Sequence, residues 1–153
     1  TWENDIKEVG YKYQLTDIGA CLLLDSMKEY NKIKKHRNLI YKTYLKNIIQ
    51  NYKIQCIQAF DKKADEVMWL FTIISPYKDL LQKKLREKNI ETNQVHFRND
   101  RYSIFKKFVK NKSFKNMDII QNKYLVLPMH TKMTTMDAKR VALEINRILN
   151  NIN

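Results

Sequence analysis

Glycine and proline are nearly absent from this chain, with two of each in 153 residues. Neither Gly10 nor Gly19 lies in a loop of the kind that wraps a phosphate with backbone N–H groups, so any such loop is expected outside this sequence. Cysteine is equally scarce. Cys21 and Cys56 each sit in an apolar segment without a CxxC partner or a neighbouring His, which predicts two small buried hydrophobes rather than a disulfide or a metal pair. His36, His96 and His130 are dispersed, and neither HExxH nor GxSxG occurs, which leaves zinc and serine-hydrolase chemistry without support. No apolar run approaches the roughly 20 residues that cross a bilayer, and the acidic start Trp2-Glu3-Asn4-Asp5 has no signal-peptide character. A cytoplasmic protein without a membrane partner is expected.

What is present is a hydrophobic fraction of 44%, enough for one domain over residues 1–153. The 29 Lys and Arg residues against 16 acidic ones give a net charge of +13, a balance suited to nucleic acid or to a phosphate-bearing ligand. The lysines are spread through every segment among Asn and Ile, so solvated helix faces outweigh a nucleic-acid surface. The chain begins with Thr1 rather than Met, and an upstream piece is expected.

Residues 10–27, GYKYQLTDIGACLLLDSM, read as an exposed aromatic loop leading into a buried helix. Thr16 suits the N-cap and Asp17 the positive helix end. Spacings of three and four then run on for about thirty residues, predicting a long helix with a kink near residues 30–34. Alternation over residues 52–60 and an apolar run over residues 67–74 predict an antiparallel strand pair joined by the polar turn 61–65. Ser75-Pro76 predicts a helix start, with Leu80, Leu81 and Leu85 facing inward and Asn89 closing in the left-handed conformation. A short strand over residues 90–92, short aromatic-anchored helices from Tyr102 to Phe114, a strand over residues 124–127 and a last helix capped at Thr134, with Ala138, Val141, Ile145, Ile148 and Leu149 facing inward, complete the chain. The predicted class is α/β (α+β): a three-to-four-stranded sheet with helices packed on it. Residues 1–51 form the loop and long kinked helix, and residues 52–153 an α/β sandwich.

Residues 95–101, VHFRNDR, concentrate the site-type chemistry. Arg98 and Arg101 match phosphate oxygens with paired donors, and His96 and Asn99 can bond sugar hydroxyls; a structural Arg98–Asp100 pair is the alternative.

Four blocks in order resemble one family. GYKYQLTDIGACLLLDSM is similar to the segment written GYNYRMTDIQAA or GYKYHMNDI in the DegT/DnrJ/StrS family of pyridoxal-phosphate-dependent nucleotide-sugar aminotransferases. Residues 69–74 with 84–92 resemble its strand, helix and LKEKGIET element, residues 96–105 its VHxRND loop, and LPMH at 127–130 with residues 134–141 its ending. The resemblance implies the C-terminal small domain of a fold-type-I aminotransferase, with the large cofactor domain, its Schiff-base lysine and most of the phosphate cup upstream. It implies amino transfer from a donor, usually glutamate, to a keto-sugar on a nucleoside diphosphate, in a homodimer. Lys12 would then stand where the family's Asn contacts the cofactor phosphate, with Tyr13 beside it, both reaching pyridoxal phosphate of the neighbouring subunit. His96, Arg98, Asn99 and Arg101 would reach the nucleotide-sugar. Gln14, and the run Gly19-Ala20-Cys21, depart from the family pattern. No Lys here is assigned the Schiff base, and the chain alone is expected to be catalytically silent. The rival readings are a basic nucleic-acid-binding module and a non-catalytic dimerisation remnant.

Overall fold

The computed structural model describes residues 5–57, 67–110 and 112–152. The turn expected over residues 61–65 and the far end of the strand expected over 52–60 lie outside them. Helices α1 (Asp17–Lys28) and α2 (Tyr30–Asn47) are followed by strand β1 (Gln55–Cys56), strand β2 (Phe71–Ile74) and helix α3 (Lys78–Glu87). Two single-turn 3-10 helices (Asn99–Arg101, Ser103–Phe105), α4 (Lys106–Val109), α5 (Lys115–Ile120), β3 (Tyr124–Leu127) and α6 (Thr135–Asn150) complete it. The class is mixed helix and sheet, as expected. The sheet has three strands in the order β1-β2-β3, both pairs antiparallel.

The sheet's core side is closed by α2, α3 and α6. Ile40, Tyr44, Phe71, Ile73, Leu81, Leu85, Leu125 and Ile145 are fully buried, each worth roughly 1.5–3 kcal/mol of transfer free energy. The Tyr44 and Phe71 rings pack at 4.7 Å, tilted by 38°. Asn146, buried on α6, donates to the Asn47 carbonyl (2.8 Å) and accepts from the Ile49 N–H (3.0 Å), fixing the end of α2.

Several local signals behave as their chemistry dictates. Thr16 Oγ1 accepts from Gly19 N–H (3.2 Å) to start α1. Thr134 and Asp137 form a reciprocal capping box on α6. Asn89 closes α3 with φ 57°. The long helix breaks at Glu29, one residue before the predicted kink.

Other expectations need correction. Helix α1 buries none of its residues, so it is not the buried helix expected: Ile18, Leu22, Leu24 and Met27 are all exposed. Cys21 is exposed with it, and of the two thiols only Cys56 is buried. Leu80 points outward while Leu81 and Leu85 are buried, because adjacent positions on a helix diverge by about 100°. Helix α3 is regular only from Lys78: the Ser75 hydroxyl, donating to the Lys53 carbonyl (2.6 Å) and accepting from Tyr77 N–H (3.1 Å), closes the turn that leads into the helix. Strand β2 begins only at Phe71: the carbonyls of Met68 and Trp69 accept from the Arg37 guanidinium instead of a neighbouring strand. The strand expected over residues 90–92 reduces to a single bridge between Asn93 and Val126.

Candidate functional site

Leaving α3, the chain passes β3 through the Asn93–Val126 bridge, whose two hydrogen bonds measure 3.2 and 2.8 Å. The loop beyond is then fixed by three side chains. Tyr124 of β3 donates its hydroxyl to the His96 carbonyl and accepts from the His96 N–H (3.2 Å). Gln94 donates to the Gln121 carbonyl beyond α5. Arg98, 8% exposed, forks onto both carboxylate oxygens of Asp100 (2.9 and 2.7 Å) and bonds Asp118 and Gln121 (3.2 Å) with the third nitrogen. The Arg98 guanidinium holds the Asp100 carboxyl below the usual range, and its hydrogen bonds to the Asp100 and Asp118 carboxylates hold Arg98 still more firmly charged. The pairing of Arg98 with Asp100 was readable in the sequence as a local ion pair; its bonds to Asp118 and Gln121, 20 and 23 residues away, were not.

The loop walls a cleft of about 670 Å³ together with the start of α3 and the end of α5, a size usual for small-molecule sites. His96, Arg98 and Arg101 share it with Lys78, Gln82 and Asn122. Arg98 serves as its frame, because four hydrogen bonds already occupy its fork. Arg101 stays exposed. The Lys78 side chain is 13% exposed and pairs with Asp79 at 3.1 Å. Cations and carboxamides thus face one space, a donor-rich lining suited to phosphate and hydroxyl oxygens. Asn99 is placed elsewhere: it lines a neighbouring cleft of about 740 Å³ that is mostly apolar, beside Phe105, Phe114 and Met117.

The leading segment approaches the other end of the loop. Asp5 accepts from Ser103 N–H (2.8 Å) and the Ile6 carbonyl from Ile104 N–H (3.1 Å). Hydrogen bonds from Ser103 lower the Asp5 pKa. Further on, Lys12 and Tyr13 stand exposed, and neither lines the cleft. The rings of Tyr11 and Tyr13 stack at 5.7 Å with 26° between planes. A cation and a phenol on so open a segment fit the edge of a phosphate; they do not enclose a ring.

Two residues with no local signal complete the surroundings. Arg37 on α2 donates to the carbonyls of Met68 (2.6 Å), Trp69 and Met129 (3.2 Å), and burial lowers its pKa. Trp69, 66% exposed, packs edge-on to His96 with centroids 6.0 Å apart.

Comparison with known proteins places the chain. A UDP-4-amino-4,6-dideoxy-N-acetyl-beta-L-altrosamine transaminase of Campylobacter jejuni is 28% identical over 156 residues, covering 99% of this chain and 41% of the relative. The uncharacterized protein MJ1066 of Methanocaldococcus jannaschii is 27% identical over 158 residues, covering 97% of this chain and 40% of its own length. Helicobacter pylori PseC, an aminotransferase involved in the biosynthesis of pseudoaminic acid, shares the fold at TM-score 0.76 and 18% identity over 99% of this chain and 42% of its own. S. venezuelae DesV, solved with a ketimine intermediate, does so at TM-score 0.79 and 17% identity over 99% and 43%. The chain therefore spans about two fifths of the curated relatives it matches. No helix among the described residues is long and apolar enough to cross a membrane. Residues 1–146 match the DegT/DnrJ/EryC1/StrS aminotransferase family, and the chain belongs to it.

Proposed function

We propose that this chain is the C-terminal small domain of a cytoplasmic sugar aminotransferase, with the large cofactor domain upstream of it. Its substrate is a nucleotide-linked keto-sugar, and its donor an amino acid; a relative named as a transaminase of a UDP-linked amino sugar supports the nucleotide-sugar part of this reading. The observation that carries this reading is the cleft in which His96 and Arg101 meet Lys78, Gln82 and Asn122. Arg101 and Lys78 face the diphosphate, and the amides and the His96 ring face hydroxyl groups. Arg98 holds the loop, while Asn99 adds the neighbouring wall.

Pyridoxal phosphate, when bound, supplies the electron sink through which an amino group changes carrier. Of this chain's residues, Lys12 and Tyr13 fit an outlying contact to its phosphate across a homodimer interface. Helix α1 supports that assembly by leaving Ile18, Leu22, Leu24 and Met27 uncovered around its circumference. The chain by itself holds and orients the sugar nucleotide, and does no chemistry.

Titration of the chain with uridine 5′-diphosphate, followed by amide NMR, tests the reading. Shifts confined to residues 93–101 and to Lys78, Gln82 and Asn122 are expected, and Arg101→Ala should weaken binding about tenfold, as loss of one charge-assisted contact does. Binding that ignores Arg101 and His96→Ala sinks it.

A further inference from the structure

Trp69 has no part in the cleft, and its indole is more exposed than a large aromatic ring ordinarily is without a partner. The backbone that carries it is nonetheless held. The Arg37 guanidinium grips its carbonyl and that of Met68 before it, and ties both to Met129 just past β3. The indole meets His96 at 6.0 Å with 60° between planes. His96 is in turn pinned at both its N–H and its carbonyl by Tyr124. One residue, His96, is thus both a wall of the donor-rich cleft and the flank of a solvent-facing aromatic ring whose backbone is held.

We infer that Trp69 is the stacking platform for the planar base of the nucleotide. This rests on the proposed reading of the cleft. The backbone anchor and the edge-on contact with His96 keep the ring at this margin, which lessens the freedom it loses when a ligand stacks on it. The adjoining side of His96 presents Lys78 and Arg101, so a diphosphate held there sends its nucleoside toward one of the cleft's margins, and Trp69 supplies the flat apolar surface at the margin beyond His96. Stacking on an indole is tolerant of base identity, since every base has a π-face. Trp69 therefore sets affinity for a nucleoside without choosing among bases, and the sugar and phosphate groups are left to the amides and cations.

The test uses the chain with Trp2→Phe, which leaves Trp69 as the sole indole, and three probes: uridine 5′-diphosphate, uridine and inorganic pyrophosphate. Uridine and its diphosphate should quench Trp69 fluorescence, and pyrophosphate should not. Trp69→Ala should weaken the diphosphate roughly 5- to 100-fold, the span usual for one stacked base. Pyrophosphate affinity should stay the same, and Trp69→Phe should restore most of the loss. If Trp69→Ala binds uridine diphosphate as tightly as the parent, or loses pyrophosphate equally, the inference fails while the reading of the cleft stands. If the parent binds uridine diphosphate at no concentration, both fall together.

Discussion

Replacing Tyr44 by Phe removes one oxygen and leaves the ring. That oxygen donates to the Pro128 carbonyl at 2.8 Å from a side chain with no exposed surface, and the ring lies against Phe71 at 4.7 Å. Tyr44→Phe deletes the donor that Tyr44 sends to Pro128 and fills no cavity, so its cost is that of leaving one carbonyl short of a partner, about 1–3 kcal/mol. For a chain of this length the loss reads as a Tm lower by about 2–10 °C. Tyr44→Ala adds loss of the ring, about 3–5 kcal/mol more. Thermal and urea denaturation followed by circular dichroism measure both, and Tyr44→Phe should shift the urea midpoint with no change of slope. Two results refute the reasoning: Tyr44→Phe within 0.3 kcal/mol of the parent, on the order of measurement error, or Tyr44→Phe as costly as Tyr44→Ala.

The two thiols should separate by rate under native conditions, Cys21 reacting promptly with a disulfide reagent and Cys56 only after unfolding, because Cys56 is buried and its thiol is pushed up to about 11. That raised value stabilises the fold in full below the ordinary thiol range and is lost as pH rises through about 11, so Cys56→Ala should flatten this part of the alkaline stability profile. Asp5 runs the other way. Its carboxyl is lowered by Ser103, so its contribution is present above the ordinary aspartate range and disappears as pH falls through the lowered value. Asp5→Ala should abolish the hydrogen-exchange protection of the Ser103 amide at neutral pH; unchanged protection would show that the Ile6–Ile104 bond suffices.

The last helix was legible almost residue by residue. Its capping box and the inward positions Ala138, Val141 and Ile145 depend on neighbours three or four residues away, which periodicity reports directly. Asn89 was legible for the same reason, a local conformation that few residues accept. Helix α1 shows the limit of that method: its run of leucines predicts burial, but a run of leucines does not say whether the covering surface belongs to the same chain. At the site, the loop chemistry was readable and the division of labour was not. Arg98 and Arg101 are equivalent in sequence, yet Asp118 and Gln121 come from α5 and the residue after it, and convert the first into a frame. Arg37 and Asn146 gave no signal at all, since their partners are backbone atoms at separations of 31 to 99 residues.

Arg37 also bears on which substitutions this chain can accept. A guanidinium directs its donors in one plane at fixed angles, and here that plane spans three carbonyls from two separate passages of the chain. An ammonium is a point with no such span and would satisfy one passage at the expense of the other. Among 29 cationic side chains, most of them on solvated faces where Lys and Arg exchange freely, this is a position where the same charge in a different shape is a different residue.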